Sequence, residues 1–324
     1  MKEFVSNSVD IKEDDGWLLP IRLSDDQMTS YARREPLLLR AKCGAGFAFA
    51  FYTTGTRVSF EYKIEEHVRD HANTDVFVDG IQYESIDLAQ LDGEVQINIP
   101  GSGERLVELY LPHLVKLWVR NLTTDGAFRS VEKTQKKFWL FLGDSITHGL
   151  GTKYPALAYP VQLSRYFNCD YVNMGVCGST FCEMDLDNRH REPDIITVAL
   201  GTNDWKMSKS PQEFRDNVSK YLIRLAELYP CRNVFAILPF WRNDWNSTYN
   251  DMTFADVYSI LKEEYEKYPY IKQLDGTQLI PNHENFYVDG VHPNDAGLLH
   301  LALMLSKNPE IRKIMHERDN EDVY

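Results

Sequence analysis

Apolar and polar positions follow two rhythms along this chain, and the change falls near residue 130. Before it, Val58-Ser59-Phe60-Glu61-Tyr62-Lys63-Ile64 and Val115-Lys116-Leu117-Trp118-Val119-Arg120 alternate, the period of a strand with one buried face. Asp75-Val76-Phe77-Val78 runs into Asp79-Gly80, the dipeptide that best supplies the positive φ angles of a tight hairpin. Glu94-Val95-Gln96-Ile97-Asn98-Ile99 meets another turn at Pro100-Gly101-Ser102-Gly103. Strands at this spacing, with no helical stretch between them, predict an all-β sandwich or jelly roll over 1–130.

After Phe138 the apolar runs become continuous, as in strands buried on both faces. Strands are predicted at 138–142, 170–174, 194–200, 232–238 and 271–275, with helices between them. Over 211–229, Phe214, Val218, Tyr221, Leu222, Leu225 and Leu228 form one stripe at helical spacing, and Ser210 before Pro211 supplies an N-cap and a first-turn proline. The segments 254–268 and 294–305 read the same way. This alternation predicts an α/β fold over 131–324: a doubly wound, flavodoxin-like parallel sheet of five strands. The polar stretch 123–137 would join the halves.

A length of 324 residues suits two domains, and 43% hydrophobic with 26% charged residues is ordinary for a globular protein. The net charge of -13 weighs against nucleic-acid or anionic-membrane binding. It also disfavours anionic substrates unless the pocket is locally basic, so neutral esters are expected. No run approaches the ~20 apolar residues of a membrane span. Met1–Asp10 lacks an apolar signal core and a cleavage site, which points to the cytoplasm; a leader removed beforehand would instead mean export. Five cysteines (Cys43, Cys169, Cys177, Cys182, Cys231) show no metal or disulfide spacing and read as packing thiols, with Cys177 and Cys182 open to a reactive role near the site.

Three polar motifs stand where apolar runs stop: Gly143-Asp144-Ser145, Gly201-Thr202-Asn203-Asp204 and Asp289-Gly290-Val291-His292-Pro293. Loops at the carboxyl ends of parallel strands are where such folds place ligands. A serine hydroxyl needs a base. Among nine histidines His292 is the best candidate, because Asp289 three residues earlier can orient its ring. His148 is a rival base, but no carboxylate is placed to orient it, so it ranks as pocket lining. Acyl transfer also needs oxyanion donors: the Asn203 amide, the Gly178 N–H after the second strand and the Ser145 N–H. Asp144 is expected to hydrogen-bond within its loop. Each motif alone serves equally well as a turn or a helix cap; their coincidence at strand ends is what favours catalysis.

These four blocks, around Ser145, Gly178, Asn203 and Asp289-x-x-His292, resemble the SGNH, or GDSL-type, hydrolase superfamily over roughly 138–307. The resemblance implies Ser145 as nucleophile, His292 as base, Asp289 as its orienter, and Ser145, Gly178 and Asn203 as the oxyanion hole. The first half resembles the β-sandwich domain of bacterial carbohydrate esterases, including the family 2 type. Some of those relatives lack the aspartate, which this chain retains.

The expected activity is therefore a serine esterase removing small acyl groups, acetyl above all, from carbohydrates or glycosides, without metal or organic cofactor. Tyr154, Trp205, Trp241 and Trp245, with Asp144 and His148, are the candidate substrate contacts; aromatics suit sugar faces but equally fill cores. Two alternatives stay open. One is a lipase, lysophospholipase or thioesterase on the same machinery; the other is a carbohydrate-binding protein with a degenerate hydrolase half. Oligomeric state has no sequence signature here.

Overall fold

The computed structural model describes residues 1–88, 91–132, 135–230 and 233–316; Cys231 and the first residue of the 232–238 strand expectation lie outside them. Up to Ser130 the strands form two antiparallel sheets. One is ordered Val5–Ser6, Ala48–Thr53, Arg105–Tyr110, Asn73–Val78, Ile81–Asp87, with Phe128–Ser130 also paired to Ala48–Thr53. The other is ordered Asp10–Asp14, Trp17–Ile21, Val115–Thr124, Arg57–His67, Asp92–Asn98. Val58, Phe60, Phe49, Phe51, Val107, Leu109 and Val119 share one apolar cluster, the core of a sandwich. Asp79 and Gly80 adopt φ of 48° and 79° in the hairpin that pairs Val78 with Ile81, as their dipeptide signal requires.

Two elements depart from the all-β expectation. Helices Asp25–Ala32 and Glu35–Lys42 interrupt the strands. Ser24 and Gln27 cap each other reciprocally at the first helix, and Pro36 stands in the first turn of the second. Both are short, and each buries only two or three side chains. The polar 123–137 stretch likewise contains a strand, Phe128–Ser130.

The second half is a parallel sheet of Phe138–Gly143, Asp170–Asn173, Ile195–Ala199, Val234–Ile237 and Ile271–Leu274. Numbered along the chain, these strands lie in the order 2-1-3-4-5, so the direction of winding reverses between the first and third. Helices cover both faces. Phe138, Leu140 and Leu142 point into a cluster with Phe214, Val218 and Leu222 of helix Pro211–Leu228 and Leu261 of helix Phe254–Glu266. Trp139 and Phe141 point the other way, toward Tyr159, Leu163, Leu298 and Leu301. Leu23, Tyr31, Leu37 and Ala41 from the early helical segment belong to the first of these clusters. Among the described residues no helix is long and apolar enough to cross a membrane.

Candidate active site

The reversal point is where the polar motifs converge. Buried strand Phe138–Gly143 ends in a sharp turn into the short helix Ser145–His148. Asp144 caps this helix by accepting from the Ile146 N–H at 3.0 Å, which presents Ser145, 5% exposed, at the sheet edge. Ser145 Oγ lies 2.9 Å from His292 Nε2, and His292 Nδ1 lies 2.7 Å from Asp289 Oδ2. A carboxylate only accepts, so the imidazole carries its proton on Nδ1 and offers Nε2 to the serine hydroxyl.

Asp289 also shapes the loop that carries the imidazole. Its other oxygen accepts from Val291 N at 3.0 Å and His292 N at 2.8 Å. Val288 N donates to the His292 carbonyl, and Asn243 N donates to that of Gly290. Asn294 then caps helix Asp295–Lys307 through the Gly297 N–H. Partial burial works against ionisation of Asp289, but the hydrogen bonds from His292 hold its carboxyl below the ordinary range.

Asn203 follows the third strand, and its Nδ2 donates to Ser179 O at 2.9 Å and lies 3.4 Å from Asp144 Oδ2. The carboxamide thus joins the Ser145 turn to the loop after the second strand. In that loop Ser179 N donates to Val176 O, and Gly178 takes φ +86°, a conformation that other residues rarely adopt. Asp204 ties the same loop down by accepting from the Phe181 N–H at 2.9 Å. Burial pushes the Asp144 carboxyl up to about 6 and the Asp204 carboxyl up to about 7. An alcohol, an imidazole, a carboxylate and a carboxamide are therefore gathered from three separate loops, the set that acyl transfer through a serine requires.

The proposed substrate contacts divide. His148 does not line a pocket: it is wholly buried, with Nε2 on Gly44 O at 3.1 Å and Nδ1 3.4 Å from Cys177 Sγ. That burial keeps it neutral, well below the usual imidazole range. Trp205 is no platform either, because the helix Asp204–Met207 turns it inward against Tyr249 and Phe254, with Nε1 on Met252 O. Asp144 is buried and fixes its loop rather than meeting solvent. Trp245 is partly covered by Phe254, 4.4 Å away between ring centroids. Trp241 and Tyr154 remain half-exposed. Cys177 is a packing thiol, pushed up to about 12 by burial, and burial likewise raises Cys182.

Four framing residues carry no signal or were unassigned in the sequence: Arg22, Arg40, Asp204 and Arg242. Arg242 donates to the Thr202 carbonyl and pairs with Asp244, bracing the loop of Asn203. Arg22, 2% exposed, donates to the carbonyls of Cys43, Asn173, Gly175 and Arg40. Arg40 donates to that of Cys177 at 3.0 Å. A groove of about 890 Å³ at the opposite, amino end of the sheet includes none of the converging groups in its lining.

Residues 141–298 match the sequence model of the GDSL-like lipase/acylhydrolase family. Among solved structures, the chain is similar to the salicylyl-acyltransferase SsfX3 from a tetracycline biosynthetic pathway (21% identity, 92% of this chain and 91% of that one, TM-score 0.76). It is also similar to an acetyl xylan esterase from the rumen bacterium Butyrivibrio proteoclasticus (14% identity, 98% and 97% covered, TM-score 0.68). A third likeness is to a family two carbohydrate esterase from Clostridium thermocellum (15% identity, 84% and 93% covered, TM-score 0.65). At these identities the likeness is one of fold. Comparison with curated protein sequences gave no match.

Proposed function

Because the chain is a member of the SGNH, or GDSL-type, hydrolase superfamily with an N-terminal β-sandwich, we propose that it is a serine esterase removing small acyl groups, acetyl above all, from carbohydrates or glycosides. The observation that carries this reading is the relay from Asp289 through His292 to Ser145, with separations of 2.7 and 2.9 Å. Ser145 Oγ attacks the ester carbonyl as His292 Nε2 takes its proton. The tetrahedral oxyanion is held by the N–H groups of Ser145 and Gly178 and by the Asn203 amide, whose long contact with Asp144 is the one to be exchanged. His292 then protonates the leaving sugar oxygen. A water activated by the same ring attacks the acyl-enzyme and releases the carboxylic acid.

The half-exposed Trp241 and Tyr154 support a sugar-sized alcohol, as do the esterases among the structural neighbours. The test is Ser145→Ala on p-nitrophenyl acetate and on acetylated mono- and oligosaccharides, with circular dichroism to show an intact fold. Turnover should vanish; unchanged acetate release would defeat the reading. The likeness to an acyltransferase favours a second outcome for the same acyl-enzyme, capture by an alcohol rather than water. Adding glycerol to the assay separates the two, since transfer yields monoacetin at the expense of free acetate.

A further inference from the structure

Resting on the esterase reading, we infer that Arg40, from the N-terminal region, is a positioning residue that strengthens the Gly178 N–H as an oxyanion donor. Arg40 Nη1 donates to the Cys177 carbonyl at 3.0 Å. That carbonyl belongs to the very peptide whose nitrogen is Gly178 N. In a trans peptide the C=O and the N–H point in opposite directions, so a cation on the carbonyl leaves the N–H facing away from it. A charge-assisted bond on one end of a peptide polarises it and makes the other end a better donor.

Three further features suit Arg40 to this task. Among the described residues its guanidinium makes no ion pair, so no carboxylate cancels its field. By contrast Arg34, on the same helical segment, is neutralised by Asp185. The backbone of Arg40 is held by Arg22, which also clamps Asn173 and Gly175 just ahead of the Cys177–Gly178 peptide. Gly178 itself is packed against the guanidinium: a Cβ there would stand 2.5 Å from Arg40 Nη1 and 2.9 Å from Leu37 Cδ2. The flanking residues are tied to the elements that carry the site: Ser179 O accepts from Asn203, and Cys177 Sγ lies 3.4 Å from His148 on the Ser145 helix.

The experiment uses the full chain with p-nitrophenyl acetate as substrate and phenylboronic acid as inhibitor, whose serine adduct puts an oxygen where the oxyanion forms. Arg40→Met should lower kcat about tenfold, leave KM within about twofold, and weaken the boronate by the same factor as kcat. Arg40→Lys, which keeps a charged donor, should retain more of both and carries the test if the Met variant does not fold. Arg34→Met should lower the melting temperature without a matching loss of kcat. A rise in KM alone, an Arg40→Lys loss of kcat with boronate affinity unchanged, or an equal kcat loss in Arg34→Met would overturn the inference. Unchanged turnover in Ser145→Ala would instead remove the esterase reading, and the inference with it.

Discussion

On one side of Ser145 the imidazole is held by its own turn: Asp289 and His292 are three positions apart, with side chains 47% and 19% exposed. On the other side the amides are held from far away along the chain, the Cys177–Gly178 peptide by an arginine 137 positions earlier and Asn203 by a carbonyl 24 positions back. The first wall is a local device bathed in solvent, so its hydrogen bonds compete with water and their loss should leave the fold intact. The second is the more buried network: the bonds of Arg40 and Asn203 are half-buried, but Arg22, Asp144 and Asp204 beneath them are buried, so damage there should reach stability as well as rate.

The largest expected effect is on the buried wall. Asn203→Ala should lower kcat roughly a hundred- to a thousandfold, the range seen when one oxyanion donor is removed. A loss under tenfold would mean that the carboxamide only braces Ser179. Arg22→Met strips four carbonyls of a charged donor and should destabilise the fold by about 3 kcal/mol in urea denaturation. If its unfolding midpoint matched the wild type, the contrast between the walls would lose its energetic basis.

On the exposed wall, Asp289→Asn should cost about tenfold to hundredfold in kcat while the melting temperature stays within a few degrees. That loss is less than the roughly ten-thousandfold that follows loss of a buried orienting aspartate, because solvent already shares in holding this carboxylate. A large fall in melting temperature would make this loop as structural as the other. The smallest effect is a pH slope. Burial raises the folded Asp204 carboxyl from 3.8 to about 7, so the unfolded chain ionises first as pH climbs. The stability this group contributes at low pH is then lost up to about pH 7. Asp204→Asn should therefore gain in melting temperature relative to wild type between pH 4 and 7, and parallel curves would show that the carboxyl is not held neutral.

The local wall was legible in the sequence because both members of the pair sit within one turn, and an Asp three residues before a His is a pattern spacing can reveal. Strands such as Phe138–Gly143 were legible for a similar reason: five consecutive apolar residues have no other use in a sheet buried on both faces. The helices Asp25–Ala32 and Glu35–Lys42 were not, because eight residues burying so few side chains give no measurable period; the capping pair Ser24 and Gln27 is a start signal that went unread. His148 and Trp205 show a different limit. Proximity to Ser145 or Asn203 in sequence says nothing about which way a single helical turn rotates the next side chain, and both were turned inward.

The membership of Leu23, Tyr31, Leu37 and Ala41 in the core of the parallel-sheet half bears on how such proteins can be recombined. A chimera spliced at residue 130 would take a foreign sandwich and leave behind the native strip that seals one face of the catalytic module. A workable crossover must carry residues 22–43 along with the sheet they cover, although the 84 residues 44–127 separate that strip from Phe128–Ser130, the last strand of the sandwich.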